Sequence, residues 1–223
     1  MENLFSGKVY EILPLTNGII FSYKRDELDE GDYVEYKMIS FDNRRISNVA
    51  KNTYLLTKFG TDAKDIRNLC QNYITVKSLV LPGGKVFLLE PDGKAMLADS
   101  DATVIWSGDL TYKSYKPADI ALHSNALWAV YPEKNVLLKY NLSTMREELR
   151  IGGVKTPFSK PVDIFVKDNH VIISNEISKK LVKINIIDYT LEELETFDEA
   201  VKQYIEVAGN RFVILESGLY IIN

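Results

Sequence analysis

Lys116-Pro117-Ala118-Asp119-Ile120-Ala121-Leu122-His123-Ser124-Asn125 returns, 44 residues later, as Lys160-Pro161-Val162-Asp163-Ile164-Phe165-Val166-Lys167-Asp168-Asn169. Self-similarity at a fixed period of this size marks a repeat architecture. Each copy reads as a short strand, a tight turn at Asn, and a second strand. The second strands are Ala126-Leu127-Trp128-Ala129-Val130-Tyr131 and His170-Val171-Ile172-Ile173-Ser174-Asn175, both rich in β-branched or aromatic residues. Asn suits the turn because it tolerates positive φ and its side chain bonds nearby backbone.

Working outward, the same hairpin recurs in weaker form around Asn17, Asn72 and Asn210, which makes five hairpins in all. Asp65-Ile66 is the expected start of the copy that turns at Asn72. A third strand follows each hairpin, ending at Asp42, Asp92, Asn141, Asn185 and Asn223. Four of the copies offer a more polar fourth strand: Thr53-Tyr54-Leu55-Leu56, Thr103-Val104-Ile105-Trp106, residues 145–151 and residues 191–197. Thr190 and Glu193 are spaced as a helix capping box, so a short helix over 191–202 stays open beside the strand reading. The fifth copy lacks a fourth strand, and Glu2-Asn3-Leu4-Phe5-Ser6 precedes the first hairpin where that strand belongs. Four-stranded units in radial repetition make a β-propeller, and a strand borrowed from the far end of the chain removes the last sheet edge. The expected fold is therefore all-β: a five-bladed β-propeller whose closing blade is completed by the N-terminal strand. One domain over 1–223 follows, with blades at about 8–60, 61–110, 111–153, 154–198, and 199–223 plus 2–6.

The Lys-Pro-x-Asp-Ile start, the second strand ending in Tyr131-Pro132 or Asn175-Glu176, and the Lys-x-Asn third strand resemble NHL-type and YVTN-type propeller repeats over residues 116–195. That resemblance implies a fold. Such families include enzymes, binding scaffolds and proteins of other roles, so it implies no single activity.

A formal net charge of −4 with interspersed signs excludes a clustered basic footprint for nucleic acid. No apolar run approaches membrane-spanning length, and no basic start followed by an apolar stretch marks a secretion signal. These features read as a cytoplasmic monomer. Cys70, the single cysteine, sits in an apolar context and reads as a packed thiol. His123 and His170 flank Asn turns and are too few for a structural zinc site. The acidic stretch 24–32 lacks oxygen ligands at the third and twelfth positions of a calcium loop, and reads as a solvated hairpin extension.

Two sets of residues are candidates for a site. First strands line a propeller channel, and here they open with Glu11, Asp65, Asp119 and Asp163, with Tyr204 in the fifth copy. Carboxylates at one level repel unless neutralised. Lys8, Lys64, Lys116 and Lys160 are near enough in sequence to neutralise them, or a divalent cation bound among them would do so. Alternatively each carboxylate caps backbone N–H groups at its strand entry. The second set stands six residues past each turn: Tyr23, Ser78, Tyr131, Asn175 and Glu216. The sequence reads as a non-enzymatic binding propeller, with no cofactor, whose channel-mouth face takes a small polar ligand or a protein partner. The alternative is a hydrolase acting on a sugar or lactone with a pair of mouth carboxylates.

Overall fold

A computed structural model describes residues 1–24, 34–61, 63–70, 75–154 and 156–222, without the side chains of residues 63 and 64. Apart from Lys24, the acidic stretch 24–32 lies outside that set, as does the Asn72 turn. Strand β1 (Glu2–Ser6) opens the chain. Blade one comprises β2 (Val9–Leu15), β3 (Gly18–Lys24), β4 (Val34–Ser40) and β5 (Ile46–Asn48). Two helices follow, α1 (Lys51–Phe59) and α2 (Ala63–Leu69). Blade two is β6 (Lys77–Val80), β7 (Val86–Leu89), β8 (Lys94–Ala98) and β9 (Val104–Asp109). Blade three is β10 (Asp119–His123), β11 (Ala126–Tyr131), β12 (Val136–Asn141) and β13 (Glu147–Gly152). Blade four is β14 (Pro161–Lys167), β15 (His170–Asn175), β16 (Lys180–Asn185) and β17 (Leu191–Thr196). Blade five is β18 (Val201–Val207), β19 (Asn210–Leu215) and β20 (Gly218–Ile222), with β1 antiparallel on its outer edge.

The fold is thus a five-bladed β-propeller of four-stranded antiparallel sheets, closed by the N-terminal strand. Its core is five wedges between neighbouring blades rather than one centre. Second strands read almost continuously apolar because both faces are covered: Ala126–Tyr131 is buried at every position. Trp128 is fully buried between blades three and four. Cys70 is buried in the wedge between blades one and two, where burial pushes its thiol up to about 11. A raised thiol is unreactive at neutral pH. Among the described residues, no helix is long and apolar enough to cross a membrane.

Two details of the hairpins depart from expectation. The positive φ falls on the residue before Asn, at Ser124 and Asp168, and Asn itself follows. One left-handed residue at the first turn position is the hairpin geometry that matches strand twist. The 191–197 stretch is strand β17, not a helix. Its Glu193 and Glu192 pair across the sheet with Lys180 and Lys183.

Blade one to blade two is where the repeat fails. Thr53-Tyr54-Leu55-Leu56 is helix, not a fourth strand; the fourth strand is β5. The physical signal is Tyr54, Leu55, Lys58 and Phe59, which share one buried face of α1 at helical spacing. Gly60 stops the helix in the left-handed conformation, its N–H donating to Leu56 O. Asp65-Ile66 lies on α2, not on a first strand. The first strand of blade two is β6, so the second and third strands are β7 and β8.

Candidate functional site

An innermost propeller strand has one edge in the sheet and the other toward the channel. Along that channel edge, alternate N–H groups have no strand to pair with and need an acceptor. The register sets the position. Bulges shift β2, β14 and β18 just before Glu11, Asp163 and Gln203, which pair with Ser22, Ser174 and Ile214. In blades two and three the same position is held by Lys77 and Asp119, opposite Leu89 and Val130. The ring is therefore Glu11, Lys77, Asp119, Asp163 and Gln203. Asp65, half-buried on α2, is not in it, and Gln203 rather than Tyr204 represents blade five.

Three ring side chains make the same contact. Each reaches round to the amide just after the ring position of the next blade. Asp119 Oδ2 accepts from Ile164 N at 3.1 Å, and Asp163 Oδ2 accepts from Tyr204 N at 2.9 Å. Gln203 Oε1 accepts from Ile12 N at 2.7 Å, while its Nε2 donates to Ile12 O at 3.1 Å. Asp163 also accepts from Ser174 Oγ at 2.9 Å. The carboxylates cap backbone amides, as one sequence reading has it, but amides of the adjacent blade.

Glu11 breaks the series. Its carboxylate turns to α1, where Lys58 Nζ donates to Oε2 at 2.8 Å and Tyr54 OH donates to the same oxygen. Tyr54 OH also lies 3.4 Å from Ser22 Oγ. Ser78 Oγ donates to Lys58 O at 2.6 Å and fastens the helix to β6. Lys77 Nζ stands 3.9 Å from Glu11 Oε1 and 3.7 Å from Asp119 Oδ1. Counter-charge thus comes from Lys58 and Lys77. Lys160 pairs with Glu176 at 2.8 Å, and Lys8 sits over the Tyr10 ring. The Lys64 side chain is outside the described set.

These contacts set the charge states. Burial pushes the Glu11 carboxyl up, but Lys58 and Lys77 outweigh it and hold it below its ordinary value. Burial pulls the Lys77 ammonium down, but Asp119, Glu11 and Asp163 hold it above its ordinary value. Asp163 is pushed well above the usual carboxyl range, by burial first and then by Asp119. Burial and the Glu11 carboxylate raise the Tyr54 phenol well above its ordinary value.

A cavity of about 430 Å³ opens at this junction, lined by Lys8, Tyr10, Glu11, Ser22, Tyr36, Tyr54, Lys58 and Lys77 among others. The sequence points to Glu11 alone of these. Of the second expected set only Ser78 comes to this junction, through its bond to Lys58 O. Tyr23 is buried among Phe5 and Phe21, and its OH donates to Glu35. Tyr131 is buried, its OH donating to Leu110 O at 2.9 Å and shared with Tyr140 OH at 2.8 Å. Buried Asn175 accepts from Ser159 N at 2.9 Å. Glu216 is a surface partner of Lys202 at 3.1 Å. Ser22 and Ser174, one residue earlier than Tyr23 and Asn175, are opposite ring residues. Side chains alternate between sheet faces, so a one-residue offset selects the other face. Among the described residues, no three His, Cys, Asp or Glu side chains are grouped to hold a metal ion.

No protein-family model and no curated protein matches the sequence. Solved structures do. A streptogramin B lyase is 13% identical with a TM-score of 0.51, covering 98% of this chain and 69% of its own. The computationally designed Ika8 protein is 10% identical with a TM-score of 0.51, covering 96% and 58%. RRP9 WD40 repeats are 12% identical with a TM-score of 0.52, covering 66% and 51%. Likeness at this level of identity carries the β-propeller fold and no activity.

Proposed function

We propose that this chain is a binding propeller, with repeats of NHL or YVTN type, and that it takes a small polar ligand in the cavity between blades one and two. The carrying observation is where that cavity lies. It sits where α1 interrupts the ring, and its walls combine three lysines, one carboxylate, three tyrosines and a serine. Convergent polar groups beside aromatic rings in a concavity of this size are what fixes a small ligand's orientation.

Binding is favoured over hydrolysis by the state of the carboxylates. A glycosidase needs two of them flanking one bond, one as acid and one as base or nucleophile. Asp119 and Asp163 are committed to amides of neighbouring strands, and Glu11 is held by an ammonium and a phenol.

The test is a thermal-shift screen of sugars, amino acids, nucleotides and organic acids, run beside aryl-glycoside and lactone hydrolysis assays. At least one compound should raise the melting temperature, because a ligand at a hundredfold excess over Kd stabilises by about 2.7 kcal/mol. Ser22→Leu, which fills the cavity wall, should abolish that rise. A screen in which nothing moves the midpoint, or turnover that disappears in Asp119→Asn, overturns the reading.

A further inference from the structure

Glu11 has one carboxylate oxygen in use and one to spare. Oε2 accepts from Lys58 Nζ and from Tyr54 OH. Oε1 accepts no hydrogen bond from a described residue, and its ionic neighbour is Lys77 Nζ at 3.9 Å, too far for a hydrogen bond. Lys77 has Asp119 Oδ1 on its other side at 3.7 Å. An ammonium carries three N–H donors, so its pairing with Asp119 leaves donors for the side that faces Glu11. Both groups line the cavity, and the Glu11 and Lys77 side chains are 12% and 30% exposed. Both stay charged against burial, Glu11 through Lys58 and Lys77, and Lys77 through Asp119 and Glu11.

The cavity wall thus presents a carboxylate oxygen and an ammonium as neighbours that do not hydrogen-bond to each other. An oxygen atom about 2.8 Å from each would span the gap. It must donate to the carboxylate and accept from the ammonium, and a hydroxyl has both capacities. Charged groups fit less well. A ligand carboxylate or phosphate at Lys77 would lie against Glu11, and a ligand ammonium at Glu11 would lie against Lys77. A zwitterion meets both only by desolvating two further charges. The rest of the wall is aromatic: Tyr10, which is 38% exposed, Tyr36 and Tyr54 line the same cavity. Such rings offer an apolar surface to C–H groups and a hydroxyl at the edge. C–H faces that carry several hydroxyls are the chemistry of a sugar.

We infer that the cavity takes a neutral polyhydroxy ligand, a sugar or a polyol, one hydroxyl of which bridges Glu11 Oε1 and Lys77 Nζ. The inference rests on the reading of this cavity as a ligand site and narrows it from polar ligands to uncharged ones. Lys58 and Tyr54 hold Glu11 through Oε2, so Oε1 is in place before the ligand arrives. A group fixed in advance costs less to order on binding. Lys77→Met keeps the apolar stem of the side chain and removes the ammonium that the hydroxyl accepts from.

The experiment titrates glucose, galactose, xylose, inositol and sorbitol into the parent chain by calorimetry. Concentrations stay in the low millimolar range, below that in which sugars stabilise by exclusion from the surface. Glucuronate, glucosamine and serine are the anionic, cationic and zwitterionic arms, and sorbitol against the ring compounds separates a linear polyol from a sugar. Expected is saturable binding of at least one neutral compound, abolished in Ser22→Leu and weakened about tenfold or more in Lys77→Met, the loss of a charge-assisted hydrogen bond. Independently of the variants' folding, ¹H–¹³C spectra of the parent should show the Lys77 side-chain and Tyr10 ring signals moving with the same compound. Undiminished binding in folded Lys77→Met, stationary Lys77 and Tyr10 signals, or tighter binding of glucuronate, glucosamine or serine than of every neutral compound overturns the inference. If charged compounds bind and lose that binding in Ser22→Leu while neutral ones do not bind, the inference falls and the ligand cavity stands; if neither these nor the wider screen bind, both fall.

Discussion

From blade three round to blade one, three successive junctions are tied by one device: a side chain at the strand entry accepting from the next blade's amide. From blade one to blade three the ties are ionic and involve a helix. There Glu11, Lys58, Lys77 and Asp119 form a chain of alternating charge, and α1 packs against β2, β4 and β6. Innermost strands pack directly on one another at the other four junctions, that between blades two and three included. Neutral or singly charged caps on backbone amides make a tight, repetitive seam. The 430 Å³ cavity lies where α1 stands between blades one and two. Regularity here serves closure, and its interruption leaves a cavity.

The contrast can be broken at several points. The largest effect should come from removing residues 1–6. β1 covers the edge of β20, and Phe5 packs on Phe21 and Tyr23, so its loss opens both a sheet edge and the wedge between blades five and one. We expect a loss of several kcal/mol, a large share of the roughly 5–15 kcal/mol that holds a domain folded. Unchanged thermal unfolding of the truncated chain would refute the closing role.

Asp163→Ala should come next. It strands the Ser174 hydroxyl and the Tyr204 amide, both buried, at about 1–3 kcal/mol each. Asp163→Asn keeps an acceptor and changes the pH response instead. The Asp163 carboxyl is raised in the folded chain, so its contribution is full below the ordinary value of 3.8 and is lost as pH rises through the folded-state value. Urea midpoints of the parent should fall with rising pH by a component missing in Asp163→Asn. Glu11, held low, has the opposite sign: its contribution is present above the ordinary carboxyl value and is lost as acid is added.

Gln203→Ala breaks two hydrogen bonds to Ile12 and should cost about 2 kcal/mol by chemical denaturation. Tyr54→Phe, at the ionic seam, keeps the packing of α1 and removes a hydroxyl whose acceptor Glu11 retains Lys58. It should cost about 1 kcal/mol. An equal or greater loss than in Gln203→Ala would mean the two seams are not built differently. The smallest effect concerns cations. With Lys58 and Lys77 already neutralising Glu11 and Asp119, melting in millimolar calcium and in EDTA should coincide, and a calcium-dependent rise would point to a metal among the ring carboxylates.

The regular seam was legible in the sequence. The 116–125 and 160–169 copies contain both the fold and two ring residues, Asp119 and Asp163, because one local pattern builds each blade. Blade two was not, because the spacing of Asp65-Ile66 and Asn72 imitates a hairpin while Tyr54, Leu55, Lys58, Phe59 and Gly60 carry the helical period and stop. Misplacing that strand hid Lys77, whose position shows only once β6 is set beside β10. Lys58 and Tyr54 reach Glu11 through tertiary packing of an inserted helix, which no repeat encodes. Tyr23 and Asn175 were picked one residue past the residues opposite the ring, and at a pleat period of two that error moves a side chain to the other face of its blade.

Of the ring's own strands β1 is synthesised first and its partner β20 last, with Glu2 opposite Ile221. Until residues 218–222 have left the ribosome, β1 has no edge to join and the ring stays an open arc with strands exposed at both ends. Contacts spanning almost the whole chain slow folding, and unpaired strand edges in such intermediates invite association with other chains. The sheet that seals the ring therefore makes its assembly late and all-at-once, with the ring's last-made strand needed to shelter its first.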